Sequence, residues 1–288
     1  MRDWPPIVEP ELVSRLRLDD GEFRELIFDY SSNWGHREYT PERLEFALGY
    51  PWERPSGSYL LRGDRVEVLA EMDPASREAL QDNFTKGRHP VLAFGGNGSP
   101  SWLEQKFAHF TEEDNRSVLV LTGHLHDHDV GFSASPSPFG NIPATLFASP
   151  GTAVRAAMVW CTTDQITQLT WTEVPYRLGR LDEAVFETDD SDVEVEGIFA
   201  YVSRFGAFCA DGRPVALAAI PARNRTARAF TEEGILDFVA PRLIGPDARA
   251  EDVVRAIWHD AVAVFTKAAE TMWPDARQLQ SEWTPFPD

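Results

Sequence analysis

Apolar positions change their period along the chain, and each change marks a different kind of element. Over residues 1–88 they fall in short helical stripes: Leu12, Val13, Leu16 and Leu18, then Phe23, Leu26, Ile27 and Phe28, each backed by an acidic outer face. Pro41 marks another helix start, ahead of Leu44, Phe46, Ala47 and Leu48. Loops are expected at 49–52 and 55–58, and two apolar runs, 59–61 and 66–69, flank Arg62-Gly63-Asp64-Arg65 as in a hairpin. Residues 1–88 therefore read as a mainly helical N-terminal extension that covers or flanks the main domain.

From residue 89 the pattern becomes strand-like. The run 89–94 (HPVLAF) reads as a buried strand that breaks abruptly into Gly95, Gly96, Asn97 and Gly98. Ser99 or Ser101 is placed to N-cap a helix, with Pro100 in its first turn and Trp102, Leu103, Phe107 and Phe110 as apolar positions. A strand, a glycine turn and a helix start present a row of backbone N–H groups that suits a carboxylate or a developing oxyanion. The alternative is a tight connection with glycine at positive φ. Neither phosphate-loop spacing fits this stretch.

Further along, 117–122 (SVLVLT) predicts a strand, 139–150 loop with a short strand, and 153–161 another strand. A helix follows, N-capped by Thr162 or Thr163, with Ile166, Leu169 and Trp171 on its buried side. It ends before Pro175, which disfavours a helical residue at 174 and leaves Glu173 at the helix C-terminus. A carboxylate there opposes the helix dipole, which points to a use other than stability. Residues 182–196 hold eight acidic and no basic residues and predict a solvated loop, overlapping the start of a strand at 195–202. A turn at 211–213 leads into 214–220, and Arg223, Arg225 and Arg228 form a basic patch, either a solvated face or a clamp for an anionic group. Helices are expected at 232–239, capped by Thr231, and at 251–268 with Val254, Ile257, Trp258 and Phe265 inside.

Composition narrows the function classes. The 288 residues suffice for one or two domains with a large core. A formal net charge of −19 argues against nucleic acid or an anionic membrane surface as the main partner. The first ten residues lack the apolar core of a signal peptide and no run approaches a membrane span, so a cytoplasmic location is expected. Cys161 and Cys209 stand far apart without a C-x-x-C and are expected as buried free thiols. His124, His126 and His128 alternate with Leu125, Asp127 and Asp129, so three imidazoles share one face of an unbroken strand. Zinc is the metal such a set would take, but the hydrolase order H-x-H-x-D-H is absent and a polar strand face is the expected reading.

Three features in order resemble the gamma-glutamylcyclotransferase-like superfamily. The VLAFGGN stretch resembles its strand and Y-G-S-N loop. The run from Ile142-Pro143-Ala144-Thr145 through Ser149-Pro150-Gly151-Thr152 resembles its central segment. The helix TTDQITQLTWTE, with Tyr176 soon after, resembles the helix that carries its catalytic glutamate. The resemblance spans about residues 89–205 and implies an α+β fold built on a small mixed β-barrel. The barrel domain would be 89–229, flanked by the N-terminal extension and a C-terminal helical segment at 230–288. It implies cleavage of a gamma-glutamyl amide by its own α-amine, giving 5-oxoproline and a free amine with no cofactor or metal. Glu173 would be catalytic, and Phe94, Gly95, Gly96, Asn97 and Tyr176 would bind substrate. Phe94 and Gly96 stand where the family has tyrosine and serine, so two hydroxyl donors are missing. Two alternatives follow: a small-molecule-binding protein of the same fold without turnover, and a metal-dependent hydrolase using the cluster from His124 to Asp129.

Overall fold

The computed structural model describes residues 3–33, 35–189, 193, 195 and 197–286. The acidic stretch 182–196 and the strand expected at 195–202 thus lie partly outside the described residues. Among those described, the N-terminal segment forms α1 (Pro10–Arg17), α2 (Asp20–Ser32) and α3 (Pro41–Leu48), then the hairpin β1 (Tyr59–Arg62) and β2 (Arg65–Val68). A further helix, α4 (Pro74–Thr85), follows; its buried residues are only Gln81 and Phe84, too few to mark a stripe in the sequence. Next come β3 (His89–Ala93), α5 (Pro100–Phe107), β4 (Ser117–Phe132), β5 (Ala144–Cys161), α6 (Thr163–Thr172), β6 (Tyr176–Leu181), β7 (Phe186–Thr188) and β8 (Ile198–Ser203). The chain closes with α7 (Glu232–Leu243), α8 (Ala250–His259) and α9 (Ala261–Thr271).

The protein is mixed α+β, but the sheet is not the closed barrel expected from the resemblance. Its path is open, running Ala229–Phe230, Ala216–Leu217, β4, β5, β3, β8, β6 and Trp283–Pro285, with β1, β2, β7 and Ala222–Arg223 branching from it. β3 lies at the centre, antiparallel to β5 and parallel to β8. Its continuous apolar run follows from burial on both faces, as in other covered sheets. Val91 and Ala93 pack into one core with Leu12, Leu103, Phe107, Ile166 and Leu169, which brings α1, α5 and α6 onto one face. Leu92 belongs to the other core with Phe23, Ala47, Ile235, Val254 and Phe265. That second core draws on all three segments read from the sequence.

Both long strands exceed their expected lengths. β4 continues through the histidine cluster to Phe132 and pairs along its length with β5. Asp127 takes a positive φ of 58°, and Ala153 faces both His126 and His128, so a bulge breaks the alternation. The expected helix at 251–268 is two helices. Asp260, at φ −150° and ψ 84°, ends α8 and caps α9 by accepting from the Ala263 N–H at 3.1 Å. No helix among the described residues is long and apolar enough to cross a membrane.

Candidate active site

A cavity of about 470 Å³ opens beside the glycine turn, and Phe94, Gly95, Gly96, Asn97, Glu173 and Tyr176 all line it. Two helices bring its charged groups together. α6 is fixed at its start by a capping box between Thr162 and Gln165 and at its last turn by the Tyr201 hydroxyl, 2.8 Å from that of Thr170. Glu173 follows as the C-cap, its side chain 15% exposed. On α5, Lys106 lies beside Leu103 and Phe107 on the buried stripe with 7% of its side chain exposed. Its ammonium donates to Glu173 Oε1 at 2.6 Å and to Asn97 Oδ1 at 2.8 Å. Asn97 Nδ2 closes the triangle on the same Oε1 at 2.9 Å. Glu173 Oε2 takes no hydrogen bond among the described residues and is left for a ligand or a proton.

The glycine turn is held by its carbonyls. Gly95 O accepts from Gly98 N–H at 3.0 Å and from Arg54 at 3.2 Å. Gly96 O accepts from Ser99 N–H at 2.8 Å, and Gly98 O from the Tyr59 hydroxyl at 3.2 Å. The N–H groups of Gly95, Gly96 and Asn97 have no acceptor among the described residues. These three residues are half-buried, and a run of unpaired donors on residues lining a cavity suits an anionic or carbonyl oxygen.

None of these glycines has the positive φ that would explain it locally. They are glycines because residues 50–54 press on them. An added Cβ would lie 2.4 Å from the Tyr50 hydroxyl at Gly95, 2.6 Å from the Trp52 ring at Gly96 and 2.9 Å from the Arg54 guanidinium at Gly98. The N-terminal extension does more than cover the main domain: it builds part of the cavity wall. A serine at 96 would put its Cβ in the space that Trp52 occupies.

Tyr50 also brings a hydroxyl to the site. Its oxygen accepts from Ala144 N–H at 2.8 Å, and its own proton has no acceptor among the described residues. Burial pushes its phenol well above the ordinary value, so it stays protonated and acts as a donor. Tyr176 is spent differently: its hydroxyl donates to Ala144 O at 2.8 Å, and burial raises its phenol in the same way. The two tyrosines thus clamp one residue's backbone, and only Tyr50 keeps a hydrogen to give. Phe94, 5% exposed, packs in the core.

Sequence reading reached Glu173 and the 94–97 loop but passed over Lys106, Tyr50 and Arg54. Lys106 left a legible signal, a charged residue three after Leu103 and one before Phe107, on the buried stripe. Tyr50 left none, because only the tertiary fold brings an N-terminal loop to residue 95.

The other candidate groups are dispersed. His124 faces Asp189 at 3.6 Å, His126 pairs with Glu187 at 3.2 Å, and His128 Nδ1 is 2.7 Å from His126 O. Among the described residues no group of three His, Cys, Asp or Glu is placed to hold a metal ion. Arg225 is a partner of buried Asp129, bonding both carboxylate oxygens at 2.7 and 2.8 Å, and Arg228 lies over the Phe230 ring at 4.4 Å. Cys161 and Cys209 are buried and free.

Fold and site together define a mixed α+β protein with a polar, donor-rich cavity. No family model matches the chain. A 91-residue stretch is 31% identical to the C subunit of the SOSS complex from Taeniopygia guttata, covering 31% of this chain and 86% of that protein. Through that stretch the chain belongs to the family of that SOSS protein; the rest of the chain lies outside the match.

Proposed function

We propose that the protein cleaves gamma-glutamyl amides by intramolecular attack of the α-amine, with β3, β5, β6 and β8 as a cyclotransferase-like core. The observation that carries this reading is the meeting of Glu173 with the unpaired N–H groups of residues 95–97 in one cavity. In the bound amide, the α-nitrogen attacks the γ-carbonyl carbon, closing a five-membered ring as the bond to the leaving nitrogen breaks. Holding the chain folded makes this step unimolecular, an effect worth several kcal/mol (roughly 7–11 at its upper end). The carbonyl oxygen gains negative charge and is met by the loop N–H groups and the Tyr50 hydroxyl.

The α-ammonium must shed two protons to become a lactam N–H. Glu173 Oε2 takes one and passes it to the leaving nitrogen; the other goes to water or to the departing amine. Lys106 and Asn97 hold the opposite oxygen, so the carboxylate is aimed rather than free to rotate. An ammonium carries three donor hydrogens, and Lys106 has spent two, leaving one for the substrate's α-carboxylate. No step requires a metal or a nucleotide.

One observation favours a second reading. The Lys106 ammonium counterbalances the Glu173 charge at 2.6 Å, which suits a protein that binds the same ligands without turning them over. The similarity to a protein named as part of a complex is compatible with that role. A panel of gamma-glutamyl amides assayed by mass spectrometry for 5-oxoproline separates the two. Release that scales with enzyme supports the proposal; binding of panel members with no release supports the second reading and rejects the first.

A further inference from the structure

Two chemically distinct sets of groups line the cavity. One is polar: the loop N–H groups, Lys106 and Glu173. The other is aromatic: Trp52, Trp102 and Phe139, all half-buried, with Trp52 and Trp102 lying directly against Gly96 of the turn. Trp52 and Trp102 pack with ring centroids 4.5 Å apart, and Phe139 meets Trp102 edge-on at 5.7 Å and 89°. Phe46 backs this set at 4.8 Å from Trp52 and keeps 36% of its surface exposed.

Placing Trp52 there runs against local preference. Its backbone has φ 63°, a left-handed conformation that a bulky side chain rarely adopts. Its ring also leaves no room for a Cβ on Gly96. Its indole N–H is committed to Phe46 O at 3.0 Å, which fixes the ring's orientation. Core packing alone does not account for a strained residue that packs only partly against the core. A wall built for a ligand does, because strained backbone concentrates where a side chain must be held for recognition.

Resting on the amide-cleaving reading, we propose that the leaving half of the substrate is an amine bearing a planar aromatic ring. Because Trp52 and Trp102 adjoin the turn at Gly96, an amide carbonyl held by the loop N–H groups has these rings within reach of its leaving half. Ring faces and edges prefer other rings, in offset or edge-on packing, over saturated groups of equal size, by about two- to tenfold in affinity. A substituent as small as methyl leaves the wall uncovered.

Isothermal titration with three probes tests this: gamma-glutamyl benzylamide, its cyclohexylmethyl counterpart and gamma-glutamyl methylamide. The expected order is benzyl tightest, cyclohexylmethyl severalfold weaker and methyl at least tenfold weaker. Trp102→Ala should cut the benzyl-over-methyl ratio to about twofold. Equal affinity for all three overturns the proposal while leaving the amide-cleaving reading intact, and equal binding of benzyl and cyclohexylmethyl overturns the aromatic assignment. If no amide binds but benzylamine alone does, and loses affinity in Trp102→Ala, the aromatic wall stands and the amide reading falls. If nothing binds, both fail. The wild-type comparison decides the matter even if the variant does not fold.

Discussion

Glu232 shows how one buried carboxyl group makes this fold sensitive to pH. It is 3% exposed, its Oε1 accepts the Ile142 N–H at 2.6 Å, and its Oε2 has no partner among the described residues. Burial raises its pKa well above the ordinary value, against the smaller opposing effect of the Ile142 bond. Because the folded value lies above the unfolded one, about 4.3, its contribution is fully present below that unfolded value. It is lost as pH rises toward the folded value, at up to about 1.4 kcal/mol per pH unit. Glu232→Gln keeps the acceptor for Ile142 and removes the titration. The thermal midpoint of Glu232→Gln should therefore match wild type near pH 4 and exceed it by a growing margin toward pH 8. A difference that does not change with pH would show that Glu232 is already solvated or paired.

At the scale of elements, the glycine turn depends on the segment that presses on it. Gly96→Ala places a methyl 2.6 Å from a Trp52 ring carbon, a clash that a packed site relieves only by moving the indole. The expected cost is about 1–3 kcal/mol, read from urea midpoints, and Trp52→Ala should remove most of it in the double variant. Additive effects would mean that residues 50–54 do not seat against the turn. The turn also shows how much was legible. A strand, a turn and a helix start were readable at 89–107 because the apolar run, the glycines and Pro100 are local signals. The capped helix ending at Glu173 was readable for the same reason. The bulge at Asp127 was not, since a strand's alternation says nothing about where pairing slips. Nor was the origin of the glycines, which lies in contacts from residues about 45 positions away.

For the whole molecule, the three segments read from the sequence share one core. Phe23 and Tyr50 from the first, Leu92 and Met158 from the second, and Val254 and Phe265 from the third belong to the same cluster. Thermal unfolding should accordingly be a single transition with equal calorimetric and van't Hoff enthalpies. Two resolved transitions would make the N-terminal segment an independent domain. The open sheet was hidden from sequence reading because closure depends on which edges pair, and hydrophobic pattern does not encode that.

The central claim is that Glu173 moves the proton in an intramolecular amide cleavage, and Glu173→Gln tests it most directly. Glutamine keeps an oxygen for Lys106 and Asn97 but cannot take a proton from an ammonium. Leaving Lys106 without its counter-charge will cost stability, on the order of 3 kcal/mol, so rates should be compared well below both unfolding midpoints. On an amide that the wild type converts to 5-oxoproline, the account predicts a fall in kcat of about 10²–10⁴ with ligand affinity retained. A Glu173→Gln protein that turns over at near wild-type rate would contradict it.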